Sequence, residues 1–196
     1  MAGGHGRAGA RGVTPLRVVL IGPECTGKTW LAGQLAAHYG VPCSAEHARE
    51  YVARHARALT YEDVEPIARG QRAGEDAATA RAVAEGTRLV ILDTDLVSTL
   101  VYSRHYYGDC PSWIEEEALR RRGDLYLLHH VDVDWVADGD QREQPERREE
   151  LFALFEATLE RLAGPRAEIR GPWEERQRRA IAAVDERLIA TPADLP

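Results

Sequence analysis

A chain of 196 residues that is 44% apolar is long enough for one domain with a substantial core. Its net charge of −7, with no long basic stripe, argues against a protein whose main task is gripping nucleic acid, yet allows a locally cationic pocket for a small anion. The three cysteines, Cys25, Cys43 and Cys110, form no even set and no metal spacing, no secretory segment precedes them, and no apolar run reaches transmembrane length, so a cytoplasmic location without a membrane is expected.

In chain order, residues 1–14 are small, glycine-rich and mildly basic and read as a disordered tail ahead of one domain over 15–190. Residues 16–21 (LRVVLI) read as a buried strand, and 30–39 as a helix closed by Gly40. A short second strand is expected at 41–44 and a helix over 46–58. A long helical stretch over 61–85 has Pro66 and Gly70 as candidate breaks. The apolar run 88–92, ending in Asp93, has the pattern of a strand buried on both faces. Helices at 95–106 and 112–121 and a strand at 124–129 follow. After a polar stretch at 134–146 comes an amphipathic helix with Leu151, Phe152, Phe155, Leu159 and Leu162 on one face, then a strand at 166–170 and a last helix at 173–189. Strands alternating with helices predict an α/β fold with a parallel sheet covered on both faces.

Between the first strand and helix lies Gly22-Pro23-Glu24-Cys25-Thr26-Gly27-Lys28-Thr29, which matches the phosphate-loop pattern G-x-x-x-x-G-K-[ST]. Lys28 is the only lysine among 25 lysines and arginines, and it stands where a slim ammonium fits inside a loop of N–H groups and a broad guanidinium does not. Residues 22–29 and Trp30 are therefore the candidate ATP site: Lys28 reaches the β- and γ-phosphates, and the Thr29 hydroxyl ligates Mg²⁺. Asp93 closes a buried strand at the sheet edge where ligands of open α/β folds gather, and is the second candidate Mg²⁺ ligand. Two residues on, Asp95 either caps the next helix or joins the site. Thr94 follows Asp93 where many motion-driving ATPases carry a water-activating glutamate, so transfer to a bound acceptor is more plausible than attack by water.

Past the second strand, Glu46 is placed to accept the proton of an acceptor hydroxyl, and Arg49 to hold an anion or the acceptor. The polar stretch after the fourth strand, with Arg142 and then Arg147 and Arg148, reads as a flap able to close over phosphates and stabilise transition-state charge. Tyr102, Tyr106 and Tyr107 offer either core packing or a ring to stack on the acceptor.

The chain resembles the ribosylnicotinamide kinase domain of NadR-type NAD-biosynthesis proteins over roughly residues 16–188. Five segments carry the resemblance in order: residues 22–29, Glu46-x-x-Arg49-Glu50, Gly70-Gln71, Leu92-Asp93-Thr94-Asp95, and Trp135-Val136-x-Asp138-Gly139. The resemblance implies a nucleoside-kinase-like P-loop fold, a three-layer sandwich with strand order 2-3-1-4-5. It also implies transfer of the ATP γ-phosphate to the 5′-hydroxyl of nicotinamide riboside, giving nicotinamide mononucleotide. By position it implies that Lys28, Glu46, Asp93 and Arg142 are catalytic and that Glu46, Arg49, Gln71, Asp95 and Tyr106 lie at the riboside. Ala45 departs from the family, which can carry a tryptophan there to stack on the nicotinamide ring, and Arg142 sits one residue later than expected. The H-x-G-H pattern of the adenylyltransferase often joined to this kinase is absent, so the next step toward NAD is not expected on this chain. A kinase for another nucleoside or small metabolite, a 5′-hydroxyl polynucleotide kinase and a non-catalytic ATP sensor are the alternatives.

Overall fold

Side chains along the central strands alternate between two cores, which is what a parallel sheet buried on both faces requires. The computed structural model describes residues 14–134 and 147–191. β1 (Leu16–Ile21), β2 (Cys43–Ser44), β3 (Leu89–Asp93), β4 (Leu125–His129) and β5 (Arg166–Ile169) form one parallel sheet in the order β2-β3-β1-β4-β5. Val19, Ile21, Val90, Leu92, Tyr126 and Leu128 face a core completed by α3 (Val64–Glu85), α4 (Leu96–Tyr107), α5 (Ser112–Arg120) and α6 (Arg148–Leu162). Val18, Leu20, Leu89, Ile91, Leu125 and Leu127 face the opposite core, under α1 (Lys28–Tyr39) and α7 (Trp173–Ala190). The result is the three-layer sandwich with the expected strand order.

Local corrections have local causes. α2 (His47–His55) ends sooner than expected, at Ala56 in the left-handed conformation (φ 49°). The stretch from Tyr61 is a 3-10 turn, Tyr61–Asp63, capped by reciprocal Thr60 and Asp63 hydrogen bonds, then α3 without a break. Pro66 sits in the first turn of α3, where its missing N–H costs no hydrogen bond. Gly70 is tolerated mid-helix because the His47 imidazole lies against it; a Cβ there would come 2.0 Å from Nε2. Because β1 is central, the loop after it, the end of β3 and the end of β2 open on one sheet edge. No helix among the described residues is long and apolar enough to cross a membrane.

Candidate active site

The loop between β1 and α1 is held in shape from several sides. Gly22 has φ 135°, and a Cβ there would meet the His129 carbonyl oxygen at 2.7 Å; Gly27, at φ 81°, caps α1. The Thr26 hydroxyl and the Lys28 ammonium both donate to the Pro23 carbonyl, at 2.8 and 2.6 Å. Burial pushes the His129 imidazole down to about 3. It is therefore neutral, and its Nδ1–H donates to the Thr26 carbonyl at 2.9 Å. The fully buried Arg176 guanidinium donates to the same carbonyl (3.2 Å) and to the carbonyls of Ile169, Gly171 and His130. Arg148 donates to the Val133 carbonyl (3.1 Å) and reaches that of Cys25 (3.4 Å). With carbonyls tied back in this way, the loop keeps the shape in which its N–H groups and the start of α1 can receive an anion.

Beside the loop, the ends of β2 and β3 bring a charged group together. The Asp93 carboxylate accepts a hydrogen bond from Thr29. Burial pushes its pKa up, the Glu46 charge adds to this, and Thr29, Lys28 and Arg49 oppose it. Asp93 Oδ1 is buried with no hydrogen-bond partner. A carboxylate oxygen left unbonded next to an exposed threonine hydroxyl is a donor pair that suits a hard divalent cation completed by phosphate and water oxygens. Among the described residues no cluster of three or more His, Cys, Asp or Glu could hold a metal by itself. Glu46 precedes α2 as its N-cap, makes no side-chain cap bond, and lies 3.8 Å from the Arg49 guanidinium. Thr94, next to Asp93, has φ 68°, an unusual conformation for a β-branched residue that places strain of about 1–3 kcal/mol at the site.

Glu46 and Thr94, of this group, border a cavity of about 620 Å³ walled by α2, α3 and α4. Glu24, Glu46, Gln71 and Thr94 supply polar atoms, and Tyr102, Tyr106 and Tyr107 supply rings. The Tyr102 and Tyr106 rings are parallel within 6°, 6.1 Å apart, and the Tyr106 hydroxyl donates to Glu24 Oε1 at 3.3 Å. Arg57 also lines the cavity and forks onto Asp63 at 2.6 and 2.7 Å, which holds that carboxyl well below the usual range. Gln71 spans the floor: its Oε1 accepts from the His47 N–H (3.0 Å) and its Nε2 donates to the Thr94 carbonyl (3.1 Å).

The model of a family described as an AAA domain matches residues 17–176. The chain belongs to that family. This AAA domain is 31% identical over 126 residues, 62% of its length, to the trifunctional NAD biosynthesis/regulator protein NadR of Salmonella typhimurium and, equally, to that of Escherichia coli. It spans only 30% of the length of those curated relatives. A crystal structure of NadR in complex with NR superposes with a TM-score of 0.71 at 25% identity, covering 93% of this chain and 54% of that one. Another, of NadR with NAD and AMP-PNP, gives 0.69 at 25% identity over 93% and 52%. A thymidylate kinase from Ehrlichia chaffeensis shares the fold at 14% identity, with a TM-score of 0.63 over 88% of this chain and 98% of that one. The resemblance read from the sequence therefore holds: the domain is a kinase-like P-loop nucleotide-binding fold of the NadR kind.

Of the residues singled out from the sequence, the AAA domain brings Lys28, Thr29, Glu46, Arg49 and Asp93 into one group and lines the adjoining cavity with Gln71, Tyr106 and Glu24. Asp95 is placed differently from the expected acceptor contact. It is not among the cavity-lining residues, its Oδ1 caps α4 through the Val97 N–H (3.0 Å), and its Oδ2 accepts from the Tyr126 hydroxyl (2.9 Å). Arg147 pairs with Glu150 at 3.1 Å. Arg142 and the segment from Trp135 lie outside the described residues. Sequence reasoning missed Arg57, His129, Arg176 and Trp173, whose ring lies against Gly27 of the phosphate loop. Arginines carry no local signal in a chain this rich in them, and His129 looks like any strand-end histidine. Trp173 alone had a cue, a tryptophan opening a helix after Gly171-Pro172.

Proposed function

We propose that this domain is a Mg-ATP-dependent kinase that phosphorylates the 5′-hydroxyl of nicotinamide riboside. The observation that carries the reading is Glu46: a carboxylate on the cavity wall, charge-coupled to Asp93 beside the Lys28 loop. An acceptor in the cavity thus has a proton acceptor on one side and the terminal phosphate on the other. The riboside's nicotinamide ring is flat and positively charged, and a cavity with Glu24, Glu46 and parallel tyrosines suits such a ring by charge and by cation–π attraction. Relatives support the same choice, since NadR has been crystallised with NR and with AMP-PNP.

In this mechanism the acceptor oxygen attacks the γ-phosphorus in line, the bond to the β–γ bridging oxygen breaks, and ADP leaves. Glu46 takes the hydroxyl proton. Lys28 exchanges its Pro23 carbonyl for phosphate oxygens, and Arg49 balances the Glu46 charge. Thr29 and Asp93 would hold Mg²⁺, which would supply charge neutralisation at the transferred phosphate.

The test is transfer from γ-labelled ATP to a panel of nucleosides. Labelled nicotinamide mononucleotide, lost in Lys28→Ala, is expected; no transfer to nicotinamide riboside while another nucleoside is labelled overturns the choice of acceptor. A specific observation favours that second reading: Ala45, exposed, stands where the family can place a stacking tryptophan.

A further inference from the structure

Two tryptophans flank the phosphate loop away from the cavity. Trp30 lies in the first turn of α1, and Trp173 opens α7 after β5, at the sheet edge opposite β2; neither lines the cavity. Both are large apolar side chains left in water, 40% and 46% exposed, in a protein that buries most of its large apolar groups. Their rings meet edge to face, with centroids 5.1 Å apart. Trp173 also lies directly on the loop: a Cβ added at Gly27 would fall 2.3 Å from its Cζ3 and 2.8 Å from its Cη2. The turn that carries it is fastened to the same loop by Arg176, which donates to the carbonyls of Gly171 and Thr26.

A core-packing role does not account for rings this exposed. Nor does a general surface role account for a ring seated on a loop glycine and locked there by a buried arginine. A nucleotide with its phosphates at the start of α1 must send its sugar and base out of the loop. On the cavity side that volume is the acceptor's. On the other side lies this aromatic pair, seated on Gly27 and already partly stripped of water.

We propose that Trp173, braced by Trp30, is the stacking platform for the base of the nucleotide whose phosphates occupy the loop, and that its broad indole face favours purines over pyrimidines. The proposal rests on the nucleotide-binding part of the function argued above and is independent of which acceptor is used.

Calorimetry on the full chain, with Mg-ATP, Mg-CTP and Mg-tripolyphosphate as ligands, tests it. Trp173→Ala is expected to weaken ATP binding about 5- to 150-fold, the worth of stacking one base on an aromatic ring, and to leave tripolyphosphate binding unchanged. Trp173→Phe is expected to recover most of the loss. Trp30→Ala, which leaves Gly27 covered, is expected to weaken ATP binding by less. ATP is expected to quench indole fluorescence in the wild type, and tripolyphosphate is not. Equal weakening of ATP and tripolyphosphate by Trp173→Ala overturns the proposal, because the ring then acts only by shaping the loop. Unchanged ATP binding in both alanine variants also overturns it while leaving the kinase reading intact. A wild type that binds no ATP removes both.

Discussion

Gln71 and Thr94 are joined by a 3.1 Å hydrogen bond from side-chain amide to main-chain carbonyl, at the point where β3 leaves the sheet in a left-handed conformation. The other end of the same amide accepts the His47 N–H, directly after Glu46. One neutral side chain thus sets the spacing between the residue following Asp93 and the residue following Glu46. Gln71→Ala leaves both main-chain groups without this partner, at about 1–3 kcal/mol if they stay buried. A melting temperature lower by roughly 2–10 °C is expected, together with a fall in kcat and little change in the KM for ATP. Thermal melts and steady-state kinetics check this, and an unaltered melt with unaltered kcat would rule out the bridging role.

Glu46→Gln keeps the shape of the cavity wall and removes the proton acceptor. A drop in kcat of about 10²- to 10⁴-fold is expected, with ATP affinity nearly intact. Single-turnover transfer assays beside ATP titrations separate the two quantities, and a variant with wild-type kcat would remove Glu46 from the chemistry.

Gly22→Ala tests the loop frame. The added methyl meets the His129 carbonyl, which is main chain and cannot swing away, at a residue with φ 135°. Strain of about 1–3 kcal/mol is expected, with a lower melting temperature and weaker ATP binding together. Calorimetry and thermal melts report both, and a variant that binds ATP as the wild type does contradicts the close fit.

Asp95 gives a pH dependence with a definite sign. Burial, and then the Glu75 charge, push its carboxyl up from 3.8 to about 7. A carboxyl with a raised folded-state pKa favours folding most while protonated, and that advantage is lost as pH rises from about 4 through about 7. Asp95→Asn keeps one acceptor oxygen, for the α4 cap, and turns an amide N–H toward the Tyr126 oxygen, but cannot ionise. The stability of Asp95→Asn relative to wild type is therefore expected to grow across that window and to level off above it. Denaturant melts at a series of pH values measure the difference, and a difference that shrinks as pH rises would reverse the assignment.

The phosphate loop, the buried strands and the amphipathic α6 were legible because each signal is local. Glycines at two of the loop's three positive-φ positions, a lone lysine, a continuous apolar run and a helical apolar stripe all lie within a few neighbouring residues. Asp93 was legible for a related reason: a carboxylate ending an apolar strand must emerge at the sheet edge. Asp95 was not, since the choice between cap and ligand depended on Tyr126 from β4, two strands away in the sheet. The end of α2 turns on Ala56 adopting the left-handed conformation, and the unbroken α3 on its first turn and the His47 ring accommodating Pro66 and Gly70; none of these carries a local signal.

Backbone chemistry and apolar spacing, acting over single turns and strands, are enough to specify the elements, their alternation and the cation that the phosphate loop presents. Packing alone settles which side chains meet across the chain: Gln71 on Thr94 and His47, Trp173 on Gly27, Arg176 on Thr26. Parallel strands are joined by long crossovers, so neighbours in space are remote in sequence. An arginine or tryptophan acquires its role only when the folded sheet delivers its partner.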